Sequence, residues 1–326
     1  MKQLEMTQSA GEAAEEEVAS ASFSRSARGL IRSMRPREWV KNLLVFSGLI
    51  FSRSLLDAHN ILFSFGGFAA FCLASSGVYL FNDLCDLEKD RQHPVKKNRP
   101  LASGALNVNL ARLAMILLFA GAVILAFQLS SAFALAIGIY LALNLAYSLR
   151  LKHAVILDVI IISSGFVLRA VAGALVLQVE VSAWLVLCTS MVALLVGFGK
   201  RRHELILLQE NAGSHRASLN DYSVEFLDAM MTICGGSAVL TYALYTMAED
   251  TVSRFGTSNL LITLPFVVYG IFRYLFLVHK RKEGGDPVQL LFRDHASVIN
   301  ILLWILAVCA VIYLPSFWNK SLSFLR

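Results

Sequence analysis

Four side chains at the end of one apolar run carry the clearest chemical signal in this chain. Asn82, Asp83, Asp86 and Asp90 lie within Tyr79-Leu80-Phe81-Asn82-Asp83-Leu84-Cys85-Asp86-Leu87-Glu88-Lys89-Asp90-Arg91. At ~100° per residue, Asp83, Asp86 and Asp90 fall within about 60° of one face if a helix continues through them. Carboxylates gathered in this way repel unless something cationic sits among them. Hard oxygens together with an amide carbonyl suit Mg²⁺, which keeps part of its water shell and binds phosphate oxygens, so the implied chemistry is the handling of a magnesium diphosphate. A solvated helix end with incidental acids is the plainer alternative. A calcium site fits less well, because the EF-hand spacing and its glycine are missing.

A second set of side chains is cationic. Lys200, Arg201, Arg202 and His203 follow Gly197-Phe198-Gly199, and Tyr147-Ser148-Leu149-Arg150-Leu151-Lys152-His153 precedes Asp158. Arg serves phosphates by paired hydrogen bonds and Lys as a compact charge, which makes Lys41, Lys97, Arg99, Arg150, Lys152, Lys200 and Arg201 candidate phosphate ligands. Asp158 could orient a basic residue or a substrate hydroxyl, or act only as the negative charge at a helix start. Arg169 lies eleven residues further on, about three turns, on the same face; it is either functional or bonded to a carbonyl. Gly197-Phe198-Gly199-Lys200 lacks the full spacing of a phosphate loop and the strand that precedes one. The seven histidines form no metal pattern, and no Ser-His-Asp arrangement is visible. Cys72, Cys85, Cys188, Cys234 and Cys309 read as packing thiols.

The elements that must position these groups are membrane spans. Hydrophobic residues make up 56% of the 326, charged residues 16%, and the mean hydropathy is +0.62. A soluble globule carries about 25% charged residues, so this chain cannot coat its own surface. Nine runs reach the length that crosses a bilayer core: about 40–56, 60–81, 108–129, 131–149, 155–178, 181–199, 229–248, 258–279 and 297–317. Residues 1–24 have no basic region followed by an apolar core; the expectation is a mobile acidic tail, with 25–326 forming a single nine-helix membrane domain.

The net charge of +6 sits between apolar runs, which points to membrane topology and away from nucleic acid. Alternate loops carry 22 Lys and Arg on one side and 4 on the other, which places the amino terminus in the cytoplasm and the carboxyl terminus outside. The expected fold is thus an all-α integral membrane bundle of about nine transmembrane helices with a cytoplasm-facing active site.

Asn82, Asp83, Asp86 and Asp90 match in full the N-D-x-x-D-x-x-x-D signature of the UbiA-like intramembrane prenyltransferases, which this chain resembles from about residue 30 onward. Arg35-Pro36-Arg37-Glu38-Trp39-Val40-Lys41-Asn42 and Asn98-Arg99-Pro100-Leu101-Ala102-Ser103-Gly104 are similar to further motifs of that superfamily. Where the superfamily usually has a second acidic motif, this chain has Gly197-Phe198-Gly199-Lys200-Arg201-Arg202-His203-Glu204, which is basic. With Tyr147 to His153, Asp158 and Asp221-Tyr222-Ser223, that stretch resembles the decaprenyl-phosphate phosphoribosyltransferase branch.

The resemblance implies 5-phosphoribosyl diphosphate as donor, a polyprenyl phosphate as acceptor, Mg²⁺ as cofactor, an inner-membrane location and a product for cell-envelope glycans. It implies Asn82, Asp83, Asp86 and Asp90 as metal ligands, with Asp83, Asp86, Asp90 and Asp158 catalytic. Lys41, Asn82, Lys97, Arg99, Tyr147, Arg150, Lys152, Lys200 and Arg201 would bind substrate. An aromatic or quinone-type prenyltransferase using a polyprenyl diphosphate is the nearest alternative, a polar-solute transporter the distant one, and homo-oligomerisation stays open.

Overall fold

The computed structural model describes residues 26–210, 219, 221–280, 290 and 293–314, so the acidic tail expected over 1–24 lies outside the described residues. Among those described there are helices and no strand. After a first helix, α1 (26–34), a 3-10 helix Pro36–Phe46 leads into α2 (Ser47–Phe51). There follow α3 (Ala58–Cys85), α4 (Leu87–Gln92), α5 (Val108–Leu129), α6 (Ser131–Leu149), α7 (Leu157–Val176) and α8 (Ala183–Glu210). The chain continues through α9 (Val224–Met247), α10 (Glu249–Phe255), α11 (Leu264–Lys280) and α12 (His295–Tyr313).

Among the described residues, eight segments are long and apolar enough to cross a membrane. They coincide with eight of the nine runs read from the sequence. The first run, 40–56, departs from an α-helical span: it is built from the 3-10 segment and the short α2. A 3-10 helix rises about 2.0 Å per residue against about 1.5 Å for an α-helix, so Val40 to Phe51 still extend over about 20 Å. Close packing holds this segment. A Cβ on Gly48 would stand 2.0 Å from the Gly173 carbonyl oxygen, and one on Gly173 would stand 2.1 Å from that of Val45. Backbone thus lies directly on backbone, an approach open only to residues without side chains.

Caps fix several helix starts. Ser130, Ser223 and Asp294 accept from the backbone N–H of Phe133, Phe226 and Ser297, opening α6, α9 and α12. Nothing caps or breaks the chain after Gly199. The run expected to end there continues as α8 to Glu210, because Lys200-Arg201-Arg202-His203-Glu204 contains good helix formers and no proline.

The described residues divide into two compact units, the first made of those up to Val40 together with Ala69–Leu125, the second of Lys41–Phe68 together with those from Ala126 onward. In the first, Leu80, Leu101, Leu106, Ala111 and Ala114 make a core against which Leu30, Leu84 and Leu87 pack. Gly77 leaves room there for the Phe119 ring, whose edge would lie 2.4 Å from a Cβ. In the second, α8 packs against both α7 and α9, around Val159, Leu195, Phe198, Leu227 and Met231. A smaller cluster joins Phe255 and Leu260 to Val308, Val311 and Ile312 of α12. Large apolar side chains such as Leu113, Ile116, Leu117, Ile124 and Phe127 of α5 point outward, as a surface facing hydrocarbon requires. Cys72 and Cys234 are buried, in keeping with packing thiols, whereas Cys85 is exposed.

Candidate active site

The acidic motif sits where α3 ends in the first unit. Asp86 leaves the helical region, at φ −95° and ψ 7°, and separates α3 from α4. The backbone bonds Asp86 N–H to Asn82 O (2.9 Å) and Asp90 N–H to Asp86 O (2.8 Å) nevertheless keep the helical register across the break. Asp83 and Asp90 are consequently both buried, while Asn82 and Asp86 are half-buried.

Two arginines neutralise these acids. Asp83 Oδ1 accepts from Arg35 Nη2 at 2.7 Å and from Arg99 Nη1 at 3.2 Å, and the same Arg99 nitrogen donates to Asp90 Oδ2 at 2.5 Å. Arg35 reaches Asp83 from a left-handed backbone, φ 53°, immediately before Pro36, and its guanidinium covers the Tyr79 ring at 4.7 Å. Trp39 Nε1 donates to Ser76 Oγ, which in turn donates to the Met34 carbonyl, pinning this turn to α3. Beyond α4, His93 Nδ1 accepts from the N–H groups of Val95 and Lys96. Burial and the neighbouring Lys96 push the His93 pKa below its usual value, in keeping with an accepting, neutral ring.

Among the described residues no three His, Cys, Asp or Glu side chains are gathered as a ready-made metal cluster. Asp83 and Asp90 are instead brought onto one cationic nitrogen. Two buried carboxylates sharing a cation, flanked by Asn82 and Asp86, are a hard-oxygen set whose chemistry fits Mg²⁺. Lys97 is exposed and Arg99 half-buried on the same loop.

The cationic residues of the second unit form a network at the facing ends of α6, α7 and α8. Asp158, in the first turn of α7, is wholly buried, and its Oδ2 lies 2.6 Å from Arg201 Nε. Arg201 also donates to Glu204 through Nη1 and to the Tyr147 hydroxyl through Nη2, the latter at 3.1 Å. Asp158 Oδ1 accepts from the Tyr222 hydroxyl at 2.8 Å. Arg202 is turned toward α9, where Nε reaches Asp228 Oδ1 at 2.5 Å, and His279 Nε2 lies 3.1 Å from that same oxygen. Lys152 is buried, Lys41, Tyr147 and Lys200 are half-buried, and Arg150 is exposed.

Several of these placements were not apparent beforehand. Arg201 points into the protein with its guanidinium engaged by three side chains. Glu204, three residues along α8, has no role in the sequence reading, although its i,i+3 spacing to Arg201 marks such a pair. Arg35 carries no sign in the sequence, 48 positions from Asp83, that it pairs with that acid. Arg169 does not reach Asp158. Its Nε donates to Asn42 Oδ1 (2.7 Å), Nη1 to the Gly165 carbonyl (2.7 Å) and Nη2 to the Tyr140 hydroxyl (2.9 Å), so carbonyl bonding is part of its role.

A helical bundle with an N-D-x-x-D-x-x-x-D cluster at the end of an apolar helix defines a class. The profile of the UbiA prenyltransferase family matches residues 43–298, and the chain belongs to that family. It is an integral membrane protein and an enzyme of the transferase kind. Among its relatives, the decaprenyl-phosphate phosphoribosyltransferase of Mycolicibacterium smegmatis is 32% identical over 300 residues, covering 87% of this chain and 92% of that protein. The enzyme of the same name from Corynebacterium glutamicum is 32% identical over 294 residues, covering 88% of each chain. In fold, the chain is similar to a UbiA homologue from Archaeoglobus fulgidus solved with DMAPP and Mg²⁺, with a TM-score of 0.66 at 20% identity over 86% of this chain and 99% of that one.

Proposed function

We propose that this enzyme transfers the 5-phosphoribosyl group of 5-phosphoribosyl diphosphate to the phosphate of a polyprenyl lipid, releasing diphosphate, in the synthesis of a cell-envelope glycan precursor. The observation that carries this reading is the likeness to two proteins named decaprenyl-phosphate phosphoribosyltransferase, 32% identical over 87% and 88% of this chain. The residues support it. A prenyl diphosphate presents one charged head, whereas phosphoribosyl diphosphate adds a 5-phosphate and its lipid partner a third anion. Cations at Lys41, Lys152 and Lys200 suit those further phosphates better than a second acidic cluster would.

In the reaction, a lipid phosphate oxygen forms a bond to ribose C1 while the bond from C1 to the diphosphate oxygen breaks, its electron pair leaving with diphosphate. The attacking oxygen is already anionic at neutral pH, so no general base is required. Displacement from the back converts an α donor into a β-linked product. Asn82, Asp83, Asp86 and Asp90 would hold Mg²⁺, which when bound draws charge from a departing diphosphate. Arg35 and Arg99 balance the charge of Asp83 and Asp90 and stand ready to meet phosphate oxygens. Lys97 and Arg150, both exposed, can meet the water-borne donor first. Tyr147 is oriented by Arg201, and Arg201 by Asp158 and Glu204. Arg201 therefore acts as the rigid centre of the network, with Lys200 the direct phosphate ligand of that helix turn.

The loop-charge split of 22 to 4 supports an inner-membrane protein with a cytoplasmic amino terminus and an outside carboxyl terminus, which puts the acidic centre on the side that holds the soluble donor. Purified protein incubated with ribose-labelled donor, polyprenyl phosphate and Mg²⁺ is expected to form a labelled lipid. No labelled lipid from a folded preparation contradicts the assignment.

A further inference from the structure

Four non-glycine residues among those described have positive φ, and Ile156 is the β-branched one. It has φ 70° and ψ −47°, and the Leu157 N–H donates to the Val155 carbonyl at 2.8 Å across it. These features are those of a γ-turn with a positive central φ, a rare and strained conformation that a branched side chain adopts only when its surroundings impose it. The strain lies two residues before the buried Asp158, at the entrance to α7.

One side chain grips both. The Ile156 N–H donates to the Tyr222 hydroxyl oxygen at 2.6 Å, and that hydroxyl donates to Asp158 Oδ1 at 2.8 Å. The phenol thus uses its donor on the carboxylate and an acceptor site on the strained turn. Asp158 in turn holds Arg201, which holds Tyr147. We propose that Tyr222 is a positioning residue for the transfer reaction, clamping the strained turn and the Asp158 carboxylate into one unit so that Arg201 and Tyr147 are presented in fixed geometry. The proposal rests on the reading of this network as part of the active site. Burial, reinforced by the bond to Asp158, pushes the Tyr222 pKa up to about 12, so the hydroxyl stays protonated and donating throughout the working pH range.

A structural role and a positioning role separate because glycine adopts positive φ without strain. In the full chain in detergent, Tyr222→Phe is expected to lower kcat for lipid labelling by about tenfold or more, with the donor KM within about twofold and a modestly lowered unfolding temperature. Adding Ile156→Gly should restore the unfolding temperature and leave kcat low, since Asp158 Oδ1 still lacks the phenol donor. Wild-type kcat in Tyr222→Phe, or recovery of kcat together with stability in the double variant, overturns the proposal. Asp158→Asn measured alongside tells which idea has failed. If that variant turns over normally, the network is outside the active site; if it is inactive while Tyr222→Phe is unimpaired, only the positioning role falls.

Discussion

Arg201 Nε lies 2.6 Å from Asp158 Oδ2, and the two side chains are 1% and 0% exposed, an ion pair between α8 and the first turn of α7 that is sealed from solvent. Removing one partner leaves an uncompensated buried charge. Arg201→Ala is therefore expected to destabilise the protein by about 3–5 kcal/mol, measured by unfolding in mixed micelles. The half-buried neighbour behaves differently: Lys200→Ala should cost about 1 kcal/mol or less while raising the KM for donor or acceptor. Equal stability losses at the two positions would contradict this division of roles.

The Gly48 and Gly173 contact gives a second expectation. Gly48→Ala and Gly173→Ala each place a methyl group about 2 Å from a backbone carbonyl oxygen that cannot step aside, at a cost of about 3 kcal/mol or more. Gly138→Ala is the control, because nothing lies within 4 Å of its Cβ, and a gain of about 0.5–1 kcal/mol is expected from helix propensity. Tolerance of Gly48→Ala would show that α2 does not lie backbone to backbone on α7.

Metal dependence forms the third. Chelation by EDTA should abolish lipid labelling and added Mg²⁺ should restore it. Asp83→Ala removes the shared acceptor of Arg35 and Arg99 and is expected to lower kcat by at least about 100-fold in a protein that remains folded. Near-normal turnover of this variant at limiting Mg²⁺ would refute the ligand assignment.

Orientation is open to direct labelling. In a background with the exposed Cys85 replaced by Ser, single cysteines at the exposed positions Lys97 and Arg150 should react only with reagents that reach the cytoplasm. Labelling of either from the outside overturns the topology.

The fold was largely legible because hydropathy alone dictates long helices in a chain this apolar, and Asp83 and Asp90 were legible because helical spacing puts them on one face. What escaped the sequence depends on contacts between distant residues or on unusual backbone. Arg35 reaches Asp83 across 48 positions from a left-handed turn, and Arg169 reaches Asn42 across 127. Neither separation carries a local pattern. The first apolar run reads as an ordinary span because length and hydropathy carry no mark of a 3-10 helix held against a neighbour at Gly173. Arg201 was visible as a cation, but its burial follows from the continuation of α8 past Gly199, where charge density had suggested a loop.

The central claim is the identity of the donor, and one competition decides it. Purified protein is given ribose-labelled 5-phosphoribosyl diphosphate and a differently labelled polyprenyl diphosphate together, with polyprenyl phosphate, an aromatic acceptor and Mg²⁺ all present. The expected result is diphosphate release from the ribose donor that depends on polyprenyl phosphate, and a lipid carrying the ribose label. A prenylated aromatic product with no ribose-labelled lipid would contradict the account and favour a prenyl-donor enzyme.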